Sequence, residues 1–440
     1  MVHIKPFQGV RYTPTQFTDL STVISQPHDR INPDLQEQYY TLSPYNITRV
    51  TKGKEYPDDD DVNNVYIRAR DAYQLWLREG ILLQDTSPAL YVTHQIYTLP
   101  DGTQRTRKGL IAALAVTPYE EGIVLPHEQI LPKSMEDRVR LIQATAANFG
   151  SIFMLYPGTD IDALLQPAVT QQPPFEFREL LVENDVVQQF WAVTDVNLIK
   201  AVVEAMAAKP NLIVADGHHR YQTAVHYRDE MRAKYPHAPA NAAFNYRLVT
   251  LVSLDDPGLV ILPTHRVIKA RLQLSQEEIL HRAAEYFEIT PLADRAALEA
   301  ALKTANADTR PSFGLYNGDH ILLTLRNPEI MARLLPDRDP AWCELDVSVL
   351  HELFIERVLG IDKQAVALKG KVGFIRNADK GYAAVNEGQA DCLLLMNATR
   401  IEQVQACTVA RERMPQKSTD FYPKMLNGVV MMNVGAEDRL

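Results

Sequence analysis

The chain has 440 residues, a formal net charge of −10 and three cysteines. This length predicts two or three domains, and the acidic charge argues against non-specific binding to nucleic acid. No apolar run is long enough for a membrane span or a signal peptide, and scattered cysteines fit a reducing compartment. We therefore expect a cytoplasmic protein, and its charge favours a small-molecule enzyme over a DNA-binding protein.

The first predicted elements lie before residue 120. Residues 12–45 are rich in Pro, Asp, Ser and Asn, which indicates ordered loop with short helix, either a pocket rim or a surface connection. An acidic run at residues 58–61 precedes an apolar pattern over residues 65–77, which predicts a helix with carboxylates at its positive end. Strands at 89–99 and 108–116, joined by a turn containing Gly102, predict a hairpin.

The middle of the chain alternates between helix and strand signals. Ser134 opens a capping-box pattern for a helix that yields to a strand at 151–156. A helix is predicted over 195–207 and a buried strand over 212–215. Strands at 247–254 and 259–262 follow, Ser275 opens a second capping box, and alternation continues to about residue 434.

This alternation predicts a fold between α/β and α+β, with mixed sheets. We divide the chain into three parts. Residues 1–160 form an N-terminal α/β part with the hairpin, residues 161–270 carry the sequence Asp-Gly-His-His-Arg, and residues 271–440 form a C-terminal α/β part with a Lys-Ser-Thr loop.

The sequence predicts the functional centre at the strand-turn-helix around Asp-Gly-His-His-Arg. Gly217 provides the dihedral freedom that the turn needs. A helix that starts near His218 presents free backbone N–H groups and a partial positive charge, which together bind anions. The predicted phosphate or nucleotide site therefore includes Gly217, His218, His219 and Arg220, whose guanidinium adds a bidentate fork. The alternative is a capped strand–helix junction in the core.

Asp216 and His218 are the candidate catalytic residues of this turn. Asp216 has three open roles: capping the helix, holding Mg²⁺, or orienting a histidine. His218 and His219 are adjacent, so on a helix they diverge by about 100° and form a poor pair for chelating zinc. Phosphate contact or proton transfer is the better role, and no metal site is assigned beyond Asp216.

His127 and Glu128 form a second candidate pair. A histidine and a carboxylate side by side in a loop suit general acid/base chemistry, with Lys133 and Arg138 neutralising a nearby phosphate. The alternative is a polar surface loop.

Two further segments supply candidate anion ligands. His265 and Arg266 follow a predicted strand, where α/β proteins form ligand crevices, although a structural salt bridge explains them too. The loop at residues 411–424 concentrates cations and hydroxyl groups, and we expect Lys417, Ser418 and Thr419 to form a clamp for phosphate or carboxylate beside Arg220. The alternative for this loop is a solvated surface segment. Neither a Walker loop nor a complete Rossmann fingerprint is present.

The turn at residues 215–221 resembles the signature of the ParB/sulfiredoxin-like superfamily, which includes CTP-binding partitioning proteins, sulfiredoxin and free-serine kinases. That resemblance implies a ParB/sulfiredoxin-like core, flanked by α/β segments, in which the turn holds nucleotide phosphates. Over residues 4–433 the chain is also similar to a bacterial family called domain of unknown function 1015. The matching stretches are Ile4-Lys5-Pro6-Phe7, Ser43-Pro44-Tyr45-Asn46, Leu125-Pro126-His127-Glu128, Ala215 to Tyr221, Leu262-Pro263-Thr264-His265-Arg266, Leu345-Asp346-Val347 with Leu350-His351, and Met414 to Thr419.

The family resemblance implies serine or phosphoserine as a substrate, through an association with serine-biosynthesis genes. The chain departs from the family pattern at residues 26–30, where Gln-Pro-His-Asp-Arg stands in place of a Pro-Pro-Tyr-Asp-Val-like string. This departure puts any role for a tyrosine there in doubt.

The leading hypothesis is a nucleotide-dependent phosphotransferase that acts on a small amino-acid-like substrate, with Mg²⁺ and ATP, ADP or CTP. The alternative is a CTP-binding regulatory protein of the ParB type without small-molecule catalysis. No basic helix-turn-helix pattern supports a nucleic-acid partner. No membrane partner is expected, and a homodimer is an open option.

Overall fold

The computed structural model describes residues 1–129, 135–170, 175–182, 185–308, 310–363 and 370–440. Contacts group the chain into two compact units. Unit 1 comprises Met1–Pro126, Ile130–Val260 and Pro423–Leu440, and unit 2 comprises His127–Gln129 and Ile261–Tyr422. Both contain helices and sheets, so the fold is mixed α/β with several sheets, as the sequence predicts.

The described part of unit 1 contains helices and strands in irregular alternation. The helices are α1 (Pro33–Leu42), α2 (Thr48–Thr51), α3 (Val65–Arg78), α4 (Glu136–Thr145), α5 (Asp160–Leu165), α6 (Val196–Ala207) and α7 (His218–Lys234). The strands are β1 (Ile4–Lys5), β2 (Val10–Tyr12), β3 (Leu82–Gln84), β4 (Leu90–Thr98), β5 (Gln104–Ala115), β6 (Val124–Pro126), β7 (Ala147–Gly150), β8 (Ile152–Tyr156), β9 (Phe175–Arg178), β10 (Val186–Val193), β11 (Leu212–Asp216) and β12 (Tyr246–Ser253).

The chain passes from unit 1 to unit 2 at β13 (Val260–Ile261). The further strands are β14 (His265–Ile268), β15 (Phe287–Leu292), β16 (Ser312–Tyr316), β17 (His320–Leu325), β18 (Val372–Ile375), β19 (Cys392–Met396), β20 (Phe421–Tyr422) and, back in unit 1, β21 (Asn427–Asn433). The helices of unit 2 are α8 (Gln276–Ala283), α9 (Arg295–Ala307), α10 (Glu329–Leu334), α11 (Pro340–Cys343), α12 (Asp346–Val349), α13 (Ala378–Asn386) and α14 (Ile401–Val409). A π-helical segment, Leu350–Val358, continues α12.

Unit 1 is built on a nine-stranded sheet with the order β6-β11-β8-β12-β5-β4-β10-β9, in which β1 also pairs with β5. A four-stranded sheet of order β3-β2-β21-β7 completes it. Unit 2 contains a six-stranded sheet of order β15-β17-β16-β19-β14-β18. Strands from both sides of residue 160 pair in the nine-stranded sheet. The three-part division at residues 160 and 270 stays a prediction about domains.

Several local predictions are confirmed. The hairpin forms as antiparallel β4 and β5, with Tyr91 opposite Ile111. The helix predicted over 195–207 forms as α6, and Ser275 forms the predicted capping box of α8. Ser134, the other predicted cap, lies outside the described residues.

Strand β11 positions the turn because it lies inside the sheet. It pairs in parallel with β6 and antiparallel with β8. The β8 register shifts between Val214 and Asp216, so the strand carries a bulge directly before the turn. Bulges of this kind re-aim side chains and recur next to functional sites. Among the described residues, no helix has both the length and the apolar composition needed to cross a membrane.

Candidate anion-binding site

The turn after β11 places the guanidinium of Arg220 beside Gly217. Gly217 has a φ of +99° and is followed at once by α7, as the sequence predicts. A Cβ atom on Gly217 would lie 2.9 Å from Nη2 of Arg220. The positive φ therefore favours glycine, and any larger residue would also require the guanidinium of Arg220 to shift.

Asp216 is an ion-pair partner in this turn. Its Oδ2 lies 3.1 Å from Nη2 of Arg220, and its Oδ1 lies 3.7 Å from Nζ of Lys424. Burial alone would raise the pKa of Asp216, but Lys424, Arg220 and Arg30 together hold that pKa below its ordinary value. The carboxylate is therefore ionised at neutral pH.

This arrangement narrows the three roles predicted for Asp216. Gly217 occupies the N-cap position of α7, and no side chain caps the helix there. Both oxygens of Asp216 contact cationic side chains. The carboxylate is therefore already paired and is a poor ligand for Mg²⁺. The described residues contain no group of three or more His, Cys, Asp or Glu side chains that could hold a metal. The turn thus offers cations to a phosphate more readily than ligands to a metal.

A cavity of about 50 Å³ adjoins the start of α7 within unit 1. Its wall combines three arginines, histidine, amide and hydroxyl groups with apolar side chains. The lining residues are His28, Thr51, Arg138, Leu141, Ile142, Ala147, Asn148, Phe149, Gly150, Arg220, Thr223, Arg247 and Asn427.

Each of the three arginines is held by a backbone carbonyl. Nη1 of Arg138, in α4, donates to Thr51 O at 3.0 Å. Nη1 of Arg220 donates to Ser151 O at 2.8 Å, and Nη2 of Arg247, in β12, donates to Gly150 O at 2.9 Å. These bonds fix the direction of each guanidinium at the cavity wall.

The arginines differ in how their charge is compensated. Arg138 pairs with Asp137, and Arg220 pairs with Asp216. No carboxylate of the described residues pairs with Arg247, and burial, followed by the charges of Arg220 and Arg138, lowers its pKa to about 9. The cavity therefore carries an uncompensated positive charge at neutral pH.

Several polar atoms on this wall also lack a partner. Asn148 Nδ2, Thr223 Oγ1 and Arg247 Nε are buried without a hydrogen bond. Their residues are 1%, 4% and 7% exposed. Buried polar groups in folded proteins are almost always hydrogen-bonded, so a group of them on one cavity wall indicates a ligand rich in acceptors.

His28 lines the same cavity as a neutral imidazole. Burial, followed by the nearby charge of Arg138, lowers its pKa to about 3. At neutral pH it therefore adds no charge, but it can exchange a hydrogen bond with a ligand. Neither His218 nor His219 is among the described residues that line the cavity.

Unit 2 brings together another part of the predicted site. His127 Nε2 lies 2.8 Å from Thr419 Oγ1, and Glu128 Oε1 accepts a bond of 2.5 Å from the backbone N–H of Lys417. Glu128 also forms a parallel β-bridge with Met414. These distant segments are therefore neighbours, joined by bonds within the protein.

Arg266, His265 and Ser418 belong to the same unit. Arg266 Nη2 donates to Lys417 O at 3.0 Å, and Ser418 Oγ donates to Pro415 O at 2.5 Å. His265 Nδ1 accepts from the backbone N–H of Met396 at 3.0 Å, and burial lowers the pKa of His265 to about 4. The cavity beside Arg266 and Ser418 has only about 10 Å³, room for one water at most.

The predicted residues thus fall into two groups. The residues of the turn, from Asp216 to Arg220, belong to unit 1, whereas His127, Glu128, His265, Arg266 and residues 417–419 belong to unit 2. The predicted convergence of Lys417 and Arg266 with Arg220 concerns both units and stays a prediction. Lys133 lies outside the described residues. Within unit 1, it is Lys424, from the end of the predicted clamp loop, that contacts the turn.

Comparison with known proteins places the chain in a family. A family model described as protein of unknown function (DUF1015) matches residues 4–348. The chain belongs to DUF1015. Among functionally curated proteins, none matches the sequence.

Solved structures resemble this DUF1015 protein only distantly. A free serine kinase in complex with AMP matches with a TM-score of 0.34 and 13% identity, over 74% of this chain and 92% of that chain. A conserved hypothetical protein from Pyrococcus furiosus matches with a TM-score of 0.36 and 15% identity, over 76% and 97% of the two chains. C-terminally truncated SbnI from Staphylococcus aureus matches with a TM-score of 0.33 and 13% identity, over 72% and 85%. TM-scores below 0.5 assign neither a fold nor a ligand to the DUF1015 chain.

Sequence reasoning missed most of the cavity wall of the DUF1015 protein. Arg247 carries a signal, because a charged residue interrupts an otherwise apolar strand. His28 lies in the segment predicted as either a pocket rim or a surface connection. Asn148, Thr223 and Asn427 carry no signal of their own, because ordinary polar residues acquire a role here only through burial.

Proposed function

We propose that this DUF1015 protein is a nucleotide-dependent phosphotransferase that acts on a small amino-acid-like substrate. The observation that carries the proposal is the concentration of cations around one turn in unit 1 of an acidic chain. Arg138, Arg220 and Arg247 line one cavity, and Lys424 and Arg30 act with Arg220 on Asp216.

Phosphoryl transfer relies mainly on positioned positive charge, with one group to accept or orient a proton. The cations beside the turn would neutralise phosphate oxygens, and the ionised Asp216 would hold Arg220 and Lys424 in place. His127 and Glu128, the proton acceptors expected from the sequence, belong to unit 2, and their role stays a prediction. His28 is too weak a base for this task at neutral pH, given its lowered pKa of about 3.

The narrower parts of the proposal rest on sequence resemblance. The ParB/sulfiredoxin-like core, the nucleotide with Mg²⁺, and serine or phosphoserine as the substrate all come from that source. The alternative activity is nucleotide binding without small-molecule catalysis.

A transfer assay tests the proposal. The purified chain is incubated with ATP, ADP or CTP, with and without Mg²⁺, in the presence of serine or phosphoserine, and products are followed by ³¹P NMR. We expect phosphoryl transfer that falls at least about 100-fold in Arg220→Gln, the loss typical for a positioned cation in phosphoryl transfer. Arg232→Gln is the control, since Arg232 is an exposed residue on the same helix.

Binding of a nucleotide without any transfer would overturn the catalytic proposal and favour the regulatory alternative. Equal transfer by wild type and Arg220→Gln would remove the turn from the site. Loss of activity in Arg232→Gln as well would mean that α7, rather than Arg220 itself, is what the substitution perturbs.

A further inference from the structure

The cavity of unit 1 presents donors without acceptors. Arg247 Nε and Asn148 Nδ2 are obligate donors, and Thr223 Oγ1 can donate. All three are buried and unpartnered in the wall of one cavity. Other atoms of these side chains are bonded within the protein: Asn148 Oδ1 accepts from the backbone N–H of Leu248 at 3.1 Å, and Arg247 Nη2 donates to Gly150 O at 2.9 Å.

The donors come from separate elements. Asn148 lies on β7, Thr223 on α7 and Arg247 on β12, while Arg138 on α4 and Arg220 on α7 complete the wall. A ligand that satisfies donors on several elements must present acceptors in several directions. The oxygens of a tetrahedral phosphate do so, whereas those of a carboxylate lie in one plane.

Charge and size define the ligand further. Arg247 is the cavity arginine without a carboxylate partner among the described residues, so the cavity favours an anion. Leu141, Ile142 and Phe149 form the apolar part of the wall, and low polarity strengthens each ionic contact. A volume of about 50 Å³ admits one small group, not a chain of linked phosphates.

We propose that this cavity binds the single phosphate group of a phosphomonoester, with Arg247, Asn148 and Thr223 as its ligands. Such a site holds one phosphate group, whereas a nucleotide site holds a chain of linked phosphates. That the phosphate belongs to the phosphorylated substrate or product rests on the proposed function, whereas the phosphate site itself does not.

Thr223→Val gives the sharpest test, because valine keeps the shape and removes the hydroxyl. Without ligand, the variant should melt at a higher temperature than wild type, since an unsatisfied buried hydroxyl is removed. Its affinity for inorganic phosphate should fall about tenfold or more, because a hydrogen bond to a charged group is lost. Melting is followed by calorimetry and binding by isothermal titration, both without nucleotide.

Thr408→Val is the matched control. Thr408 is 1% exposed and its Oγ1 donates to Val404 O at 2.6 Å, so valine removes a satisfied bond. The control should melt at a lower temperature and bind phosphate like wild type. Equal phosphate affinity in wild type and Thr223→Val would overturn the assignment, as would the absence of phosphate binding to wild type at millimolar concentration.

Two more ligands, O-phosphoserine and pyrophosphate, test whether the cavity binds a phosphomonoester, free phosphate or linked phosphates. O-phosphoserine that binds more tightly than inorganic phosphate would support a phosphomonoester, and tighter binding of free phosphate would overturn it. Pyrophosphate that binds more tightly than phosphate would overturn the single-group site. The proposed function fails separately: absence of nucleotide-dependent transfer leaves phosphate binding in this cavity intact.

Discussion

Two polar regions of this protein differ in how their buried atoms are satisfied. In the unit 1 cavity, Arg247, Asn148 and Thr223 each leave a buried atom without a partner. In the unit 2 cluster, defined as His127, Glu128 and residues 417–419, the polar groups bond mainly to one another and to the backbone.

The difference separates ligand binding from support of the fold. A buried hydrogen bond adds modest stability, but a buried group without a partner carries its full desolvation penalty. A protein retains such a penalty where a ligand removes it. The unit 2 cluster, by contrast, ties distant segments together, and its bonds contribute to stability without a ligand.

The largest expected effect is a loss of phosphate affinity when Arg247, a residue of the unit 1 cavity, is replaced. Arg247→Met removes the uncompensated cation and its unpartnered Nε, so phosphate affinity should fall at least about 100-fold, the equivalent of two charge-assisted hydrogen bonds. Stability without ligand should change little, because the lost bond to Gly150 O is offset by relief of charge burial near two arginines. Isothermal titration calorimetry measures the phosphate affinity. A loss smaller than threefold would contradict the assignment of Arg247 as a phosphate ligand.

A second expected effect concerns the turn that adjoins the cavity. Asp216→Asn removes the carboxylate that both Arg220 and Lys424 contact, which should cost about 2–3 kcal/mol at pH 7. The lowered pKa of Asp216 means that its contribution is present above about pH 4 and is lost as pH falls below that value. Urea unfolding should therefore show wild type and variant converging in acid. A pH-independent difference would show that charge is not the cause.

A third expected effect concerns Glu179, a buried acid of unit 1 whose carboxylate is hydrogen-bonded within the protein. It extends the comparison to the dependence of stability on pH. Glu179 accepts bonds from Gln188 at 2.6 Å and Gln26 at 2.9 Å, yet burial raises its pKa to about 7. Wild type should lose stability as pH rises from about 4 through 7, because the folded state retains the proton more strongly. Glu179→Gln should therefore be more stable than wild type at pH 8 by a difference on the order of 3 kcal/mol.

The control for this prediction is the same pair of proteins at pH 4, where their free energies of unfolding should approach each other. Parallel curves of stability against pH would mean that Glu179 does not titrate between pH 4 and 8.

The smallest expected effect lies in the unit 2 cluster. Thr419→Val removes the bond to His127 Nε2, and His127 is fully buried, so stability should fall by about 1–2 kcal/mol. Phosphate affinity in the unit 1 cavity should not change. Thr419→Val and Thr223→Val should thus shift the melting temperature in opposite directions, and a shift of the same sign would remove the distinction between the two regions.

The local elements were largely predictable from the sequence. The hairpin, the helix starting at Val65, the helix over 195–207 and the capping box at Ser275 depend on residues within a few positions of each other. The turn at Gly217 belongs to the same class, because its glycine and the buried strand before it are local signals. Membership of DUF1015 was likewise readable from motifs in order along the chain.

The cavity was decided by the tertiary structure alone. Its wall joins residues from His28 to Asn427, and their meeting depends on strand order, such as β11 between β6 and β8, which no local pattern specifies. Asn148 and Thr223 are ordinary polar residues in the sequence, and Arg247 is marked there only as a charge in a mostly apolar strand. They become a candidate site because long-range packing removes them from water and leaves their donors without partners in the wall of one small cavity.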